Sequence, residues 1–428
     1  MTMLAAESPT NTFSIEPLSR QSYLRAMIVM NGLFFSWGFI TSLNDVLIPQ
    51  LKAVYHLDYT RAMLVQCCFF TAYLLFSLPS SRLVANFGYK ASMIGGLLTM
   101  SLGALLFIPA TYASSFALFL IALSVISAGM TSLQVSANGF VAGLGSDSTS
   151  SSRLNLAQAF NSVGTTIAPY IGSILIFRHA LSAASHQQSA ASLRMPYAGI
   201  GIILAIMAVL LQFVKLPAIG GGLQTAPLLG FREDRFRNIF KLPHVLLGAV
   251  AIFLYVGAEV AIGSFLVNYL TLPDIGSMTL ETAGKALALY WGGTMVGRFV
   301  GAVILRKPRA RAVLASAAVC AFLLVVLSMG SSGRIATVSI ILVGLFNSVM
   351  FPSIFGLGVA KTGSMRATAA GVLIMGIVGG AAIPVVEGLV AYRVGIHHAL
   401  IVPALCYLYI AYYGLRGSQP RRLAERAA

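Results

Sequence analysis

Apolar runs of about 20 residues recur along the whole 428-residue chain. A helix of about 20 apolar residues crosses the ~30 Å hydrocarbon core of a bilayer, where helices and closed barrels satisfy their own backbone hydrogen bonds. The composition agrees, because 57% hydrophobic and 9% charged residues leave too little polar surface for a water-soluble chain of this length. The sequence therefore predicts an all-α, multi-pass membrane protein.

Twelve such runs are present, six on each side of a polar centre. They cover residues 24–49, 62–80, 91–110, 116–141, 154–177, 195–214, 242–270, 282–305, 310–329, 335–360, 367–391 and 400–415. The first run follows a polar stretch and lacks a small-residue cleavage site, so we interpret it as a retained helix. The predicted organisation is a tail (1–23), a six-helix half (24–214), a linker (215–241), a second half (242–415) and a tail (416–428).

The polar connections carry two weaker patterns. In the linker, Phe236, Ile239 and Phe240 would share one helical face, which is compatible with a short interfacial helix and equally with a solvated linker. The serine-rich stretch 146–152 is interpreted as a loop that caps the next helix, with Ser152 just ahead of it.

The distribution of Lys and Arg predicts the orientation. With twelve spans both tails lie on one side, and that side carries 20 basic residues against 7 on the other, with Arg298 inside a run. We therefore expect both termini in the cytoplasm and the protein in the inner (plasma) membrane. The net charge of +16 then faces anionic lipid; a nucleic-acid partner is disfavoured because the basic residues are scattered over short loops.

Cysteine and motif content argue against enzymatic or metal chemistry. Cys67, Cys68, Cys320 and Cys406 all lie in apolar runs, where they pack as small hydrophobes, and no metal-ligand spacing is present. No nucleophile with a matching base and no phosphate-binding glycine loop occurs at a suitable spacing. We expect neither an enzyme nor a bound cofactor.

Four charged residues stand four or more residues inside the ends of the apolar runs. Asp45 lies in the first, where a carboxylate costs between ~3 and ~10 kcal/mol and is therefore a functional candidate. Glu259 is deep in the seventh, so we expect it to be neutral near pH 7 and to exchange hydrogen bonds with a ligand. Arg298 is close to a basic loop and is predicted to form a gating or half-to-half contact, whereas Glu387 is near an outer end and is expected to reach water.

Neutral polar residues align on helical faces. Ser127, Thr131, Gln134 and Asn138 recur at offsets of 4, 7 and 11 residues. The fifth run repeats the pattern with Gln158, Asn161, Ser162 and Thr165, and the tenth carries Asn347 and Ser348. Amides offer both donors and acceptors, which suits a neutral, hydroxyl-rich ligand such as a sugar. The alternative is that these amides bond helix to helix.

Aromatic residues could supply the apolar face of a sugar site. Trp37 shares a helical face with Thr41 and Asn44, and Trp291 is the second tryptophan of the chain. Tyr255 precedes Glu259 by four residues and shares its face. Each tryptophan is equally compatible with core packing.

At these residues the chain resembles the fucose/galactose/glucose proton symporter branch of the major facilitator superfamily. The similarity extends over the whole chain and rests on Trp37-Gly38-Phe39, Asn44 to Pro49, Leu133 to Asn138, Leu156 to Asn161, Tyr255 to Glu259, Gly293 to Phe299 and Phe351 to Phe355. It implies two six-helix halves related by an axis along the membrane normal, with the site at the midplane between them.

The resemblance also implies proton-driven sugar uptake, with Asp45 as the protonatable carboxylate and Asn44 beside it in the site. Members similar to the L-fucose symporter carry Glu at the position of Gln134 and Gln at the position of Glu259, and this chain has the two exchanged. We therefore favour D-glucose or D-galactose. Gly139, where Pro is usual, and Ala85, where many facilitators have Asp, put details of gating in doubt.

The predicted mechanism is alternating access, in which protonation of Asp45 removes the cost of reorienting a buried charge. Sodium coupling, an L-fucose symporter and a uniporter with a permanently paired Asp45 remain open. A drug or metabolite exporter and a non-transporting receptor are disfavoured, the first by the aligned amides and the second because no span is attached to a soluble domain of any size. We expect a monomer whose partners are the sugar and the lipid bilayer.

Overall fold

The structure is a computed structural model that describes residues 19–54, 59–113, 115–172, 194–217, 219, 238–307 and 309–420. Within these ranges, the side chains of residues 43–54, 59–67 and 170–172 are outside the description. In the stretch 231–240, where the sequence allowed either a short interfacial helix or a solvated linker, residues 231–237 lie outside the described residues, and residues 238–239 are helical. Most of both tails also lies outside the described residues. The described part of the chain is helical and contains no strand.

Five long helices form the first half. They are α1 (Arg20–Val54), α2 (Tyr59–Tyr112), α3 (Phe116–Gly143), α4 (Ser150–Gly172) and α5 (Arg194–Phe213). Helix α2 contains both the second and the third predicted span, joined at Gly88. The backbone there has φ 83° and ψ 171°, a conformation that favours glycine, so one residue makes the turn between two spans.

Eight helices form the second half. They are α6 (Pro243–Leu270), α7 (Leu280–Ile304), α8 (Ala310–Met329), α9 (Gly333–Asn347), α10 (Met350–Val359), α11 (Arg366–Met375), α12 (Gly379–Ala399) and α13 (Ile401–Tyr412). The tenth predicted span is α9 followed by α10, and the eleventh is α11 and α12 joined by a 3-10 turn at Gly376–Val378. A second left-handed glycine, Gly395 (φ 83°), breaks α12, so the last span begins before the predicted residue 400.

Glycine lets the broken eleventh span approach α6 closely. A Cβ atom at Gly379 would overlap the carbonyl oxygen of Phe253, and one at Gly376 would overlap that of Ala249. The backbone of the 3-10 turn therefore rests directly on α6, which fixes the second half around the break.

Within the described residues, nine helical segments are long and apolar enough to cross a membrane, and one of them, the 45-residue segment Cys68–Tyr112, holds two predicted spans. Helix α4 is not among these segments because its polar residues lower its mean hydropathy. Helix α13 is not among them because it is only 12 residues long. Both pack among the other spans.

The packing repeats between the halves. In the first half α1 packs on α4, so span one meets span five, and the long helix α2, which holds spans two and three, packs on α3 (span four) and α5 (span six). The second half repeats these pairings six spans later, through α6 with α12, α7 with α9, and α8 with α13. The halves meet where α4 packs on α7 and α10, and where α11 packs on α2 and α3. This surface between the halves holds the polar residues predicted from the sequence.

Candidate functional site

The polar stripe of α3 is fully inside the bundle. Ser127, Thr131 and Asn138 are completely buried, and Gln134 is 5% exposed. The hydroxyls of Ser127 and Thr131 donate to carbonyl oxygens four residues earlier in the same helix, at 2.9 and 2.8 Å. Their hydrogen bonds are therefore satisfied within α3, and the two amides are the members of the stripe that reach other side chains.

Three amides and one phenol form a buried cluster across α2, α3 and α4. Gln134 Nε2 donates to Tyr73 Oη at 2.6 Å, Asn138 Nδ2 donates to the Gln134 carbonyl at 2.9 Å, and Gln158 Nε2 donates to Asn138 Oδ1 at 3.4 Å. We call Tyr73, Gln134, Asn138 and Gln158 the amide cluster. It combines donors and acceptors in one place, as a ligand with several hydroxyls requires.

Asn161 has a different role from its neighbour Gln158. Its Nδ2 donates to the carbonyl of Phe34 in α1 at 3.0 Å, and a Cβ atom at Gly38 would overlap the Asn161 backbone. Asn161 thus bonds α4 to α1, in agreement with the alternative that such amides connect helices rather than bind a ligand. Trp37 lies in the same contact region, 8% exposed, with its ring 5.3 Å from that of Phe34.

Asn347 is also used between helices. Its Nδ2 donates to Tyr290 Oη at 2.9 Å, and its Oδ1 accepts from Tyr407 Oη at 2.8 Å. Tyr290 Oη in turn donates to the carbonyl of Glu259 at 3.4 Å. These three side chains tie α6, α7, α9 and α13 together, and both polar atoms of the Asn347 amide are occupied.

Glu259 and Tyr255 present unpartnered polar atoms. Glu259 is 8% exposed and Tyr255 is 1% exposed, and neither Glu259 Oε1 nor Tyr255 Oη makes a hydrogen bond of good geometry. The two side chains lie near enough to act as weak hydrogen-bonding partners, and both interact electrostatically with Arg298. Buried polar atoms of this kind cost about 1 to 3 kcal/mol each when unpaired, so they are positions where a polar ligand would be stabilised.

Arg298 joins the halves at the level of the amide cluster. Its Nη1 donates to the Gln158 carbonyl at 3.3 Å and to Ser162 Oγ, both in α4. Arg298 is in α7, so a cation of the second half contacts the first half beside an amide of the cluster. The predicted contact between halves is present, and its gating role stays a prediction.

The remaining candidates are placed as follows. Trp291 is 42% exposed, packs edge-on against Tyr290 at 5.2 Å, and would stand 3.0 Å from a Cβ atom at Gly263. The described contacts do not join it to the amide cluster. Asn44 and Asp45 lie in α1, three and four residues after Thr41, and their side chains are outside the described residues. Their predicted roles are therefore untested.

Metal ligation receives no support from the described residues, which contain no group of three or more His, Cys, Asp or Glu side chains suited to hold an ion. Cys68, Cys320 and Cys406 are free thiols.

One end of the bundle is closed by contacts between the halves that the sequence did not reveal. Asp147, between α3 and α4, pairs with Arg366 at the start of α11. At the same end Ser152 Oγ donates to the Ala302 carbonyl at 2.6 Å, and a Cβ atom at Gly356 would stand 2.6 Å from Ser151 Oγ. We call this the Asp147 end. The helix cap there is Ser146 rather than Ser152, because α4 already begins at Ser150 and Ser152 lies inside it.

Arg153 supports this closed end from within the first half. Its guanidinium donates to the carbonyls of Val141, Ala142 and Ser146 at 2.7 to 3.0 Å and to Thr149 Oγ1 at 2.6 Å. These bonds join the end of α3 to the segment that carries Asp147 and hold that segment in place.

A bundle of two similar helical halves with a buried polar site at their interface defines a secondary transporter of the membrane. The family model of the Major Facilitator Superfamily matches residues 29–415. The chain is 42% identical over 417 residues to a glucose/galactose transporter of Brucella abortus biovar 1 (strain 9-941), covering 97% of this chain and all of that protein. It is 33% identical to the L-fucose-proton symporter of Escherichia coli (strain K12), covering 93% of this chain and 94% of that protein.

Among solved structures, the crystal structure of the facilitator FucP in the outward conformation superposes with a TM-score of 0.85 at 32% identity, covering 93% of this chain and 100% of that chain. The chain therefore belongs to the Major Facilitator Superfamily. The predicted fold of twelve spans in two six-helix halves and the predicted resemblance are confirmed, and so is the expectation of a transporter rather than an enzyme.

Proposed function

We propose that this protein imports a neutral hexose, D-glucose or D-galactose, by proton symport with alternating access. The observation that carries the proposal is made at Gln158, whose side-chain amide donates to Asn138 within the first half while its backbone carbonyl accepts from Arg298 of the second half. A ligand bonded to this side chain would lie directly beside a contact between the halves. That is the property a transport site needs.

The chemistry of the site suits a hexose. The amide cluster offers donors and acceptors from α2, α3 and α4, while Glu259 and Tyr255 offer unpaired oxygens from α6. Neutral amides avoid the cost of desolvating an ion, and a single carboxyl can orient one sugar hydroxyl strongly. The names of the relatives from Brucella and Escherichia support a sugar as the substrate, and the arrangement of Gln134 and Glu259 favours glucose or galactose over fucose.

The Asp147 end indicates the side from which the sugar enters. We assign this end to the cytoplasm, since the excess of Lys and Arg lies in the loops on that side. Contacts between the halves close this end, which supports entry of sugar from the outer side. The similarity to a facilitator solved in the outward conformation is consistent with that assignment.

Proton coupling is proposed through Asp45 in α1. An ionised carboxylate in the span makes reorientation of the empty carrier costly, and protonation removes this cost. One positive charge moving through 100 mV supplies about 2.3 kcal/mol, which is enough for about forty-fold accumulation of sugar. Sodium remains the alternative coupling ion.

The test is uptake of labelled D-glucose into proteoliposomes under an inward proton gradient without sodium, with excess unlabelled D-galactose or L-fucose as competitors. Accumulation that galactose blocks and fucose does not would support the proposal. Accumulation under a sodium gradient alone would replace the proton as the coupling ion. If neither gradient drives uptake, the hexose assignment is wrong, and efflux assays with drugs or metabolites would then follow.

A further inference from the structure

Glu387 is a buried carboxyl group without a partner. The residue lies in α12, has no solvent exposure, and neither of its side-chain oxygens makes a hydrogen bond or ion pair in the described part of the chain. The expectation that it reaches water was wrong. The turn at Gly395 ends the span eight residues later, so about 12 Å of further helix separates Glu387 from the outer end.

Among the described residues, no charged group interacts with Glu387. The titratable groups that interact with it are Cys406 and Tyr407 of α13, both neutral side chains. Helices α6 and α2 also pack against α12, and their described side chains supply no titratable or charged group that interacts with Glu387; the ring of Phe265 from α6 faces the next residue, Gly388. An ionised carboxylate here would be both desolvated and unpaired, which is the most expensive form of burial.

Tyr407 connects this carboxyl to the candidate sugar site. It interacts electrostatically with both Glu387 and Glu259. Its hydroxyl proton is committed to Asn347 Oδ1, so its remaining hydrogen-bonding capacity is that of an acceptor. Tyr407 therefore has no proton to donate to a Glu387 carboxylate. The local chemistry therefore favours a protonated Glu387.

We propose that Glu387 is a proton-binding site of the second half, holding a proton in the described state and releasing it when α12 and α13 move during the transport cycle. The break at Gly376–Val378 separates α12 from α11 and from the closed Asp147 end. The proton site rests on the geometry alone, and its part in the transport cycle rests on the proposed function. It would add a second coupled proton to the one assigned to Asp45.

Infrared difference spectroscopy of the purified protein in lipid tests the proton site directly. At pH 7 the wild type minus Glu387→Gln spectrum should contain the C=O band of one protonated carboxyl group, and raising the pH should convert it to carboxylate bands. Glu281→Gln is the matched control, since Glu281 is exposed and paired with Lys285 at 2.7 Å, and its difference spectrum should contain carboxylate bands only. Carboxylate bands for Glu387 at pH 7 would overturn the proposal. If Glu387→Gln does not fold, Glu387→Asp should shift the protonated band, and an unshifted band counts against the site.

Stoichiometry tests the role in coupling. In proteoliposomes held at a series of membrane potentials, the number of protons moved per hexose should fall by one in Glu387→Gln, while Glu281→Gln matches the wild type. An unchanged stoichiometry would overturn the coupling role. A wild type that moves no hexose would refute the proposed function instead, and the infrared result would still decide whether Glu387 holds a proton.

Discussion

Asp147 Oδ1 accepts a hydrogen bond from Arg366 Nη2 at 2.8 Å, and Asp147 Oδ2 accepts one from the backbone N–H of Lys361 at 3.0 Å. One carboxylate of the first half therefore holds both a side chain and the backbone of the second half. The pair is partly shielded, with side-chain exposures of 19% for Arg366 and 35% for Asp147. Asp147 therefore provides an anion that holds the two halves together at this end.

Removing this carboxylate should loosen the closed end. A partly exposed ion pair contributes about 1 kcal/mol, so Asp147→Ala should raise the open population about fivefold. The measurement is the alkylation rate of a cysteine introduced at Ser151, which is buried at the interface, in a variant without native cysteines. Glu281→Ala removes the exposed pair with Lys285 and should leave the rate unchanged. Equal rates in Asp147→Ala and the parent would contradict the assignment.

Exchanging two side chains should change the sugar preference. The double variant Gln134→Glu, Glu259→Gln moves the carboxyl from α6 to α3, beside Tyr73. A hydrogen bond to a charged group contributes about 1.5 to 3 kcal/mol, so we expect D-glucose uptake to fall by about tenfold or more while L-fucose becomes the better competitor. Ser127→Ala is the control, because its hydroxyl is satisfied within its own helix. Unchanged competition by the two sugars would exclude these residues from substrate selection.

Asp45→Asn should separate accumulation from exchange. A neutral side chain in α1 cannot exchange a proton with the gradient, so proton-driven accumulation of hexose should be lost. Exchange of labelled for unlabelled sugar across an equilibrated membrane needs no net proton movement and should persist. The two assays are run on the same proteoliposome preparation. Accumulation that survives the substitution would remove Asp45 from coupling.

Asn347→Ala should cost stability more than sugar affinity. Truncation leaves the hydroxyls of Tyr290 and Tyr407 without their partner in a fully buried site, at about 1 to 3 kcal/mol each. The thermal midpoint in detergent should fall clearly, while the glucose concentration for half-maximal exchange stays within about twofold. Tyr407→Phe removes one of the two bonds and should produce about half of the loss. A large rise in that concentration with an unchanged midpoint would place Asn347 in the sugar site instead.

The fold could be predicted from the sequence because a bilayer imposes one length and one secondary structure on every apolar run. The site was harder to predict. Helical periodicity placed Gln134, Asn161 and Asn347 on polar faces, but it does not say which helix each face meets. In the structure Asn161 bonds α4 to α1, Asn347 bonds α9 to α7 and α13, and Gln134 bonds α3 to Tyr73 of α2.

Two functional features carried weak signals. Tyr73 is a single phenol in an apolar span. The one sequence signal for a polar face there was Ser77, which lies four residues later on the same face and donates to the Tyr73 carbonyl. Asp147 stands in a serine-rich loop that was interpreted as a helix cap, and its partner Arg366 is 219 residues away in the chain. A pairing over such a distance depends on how the halves pack, which local sequence patterns do not encode.

The bonds of Asn347, together with that of Tyr290 to Glu259, join four helices of the second half into one block. When such a block turns as a unit, the polar contacts that cross to the first half, among them those of Asp147, oppose the turn. Contacts that are few and separately placed can be strengthened or weakened one at a time. Single substitutions at these contacts can therefore change the rate of the transport cycle without altering the candidate sugar site.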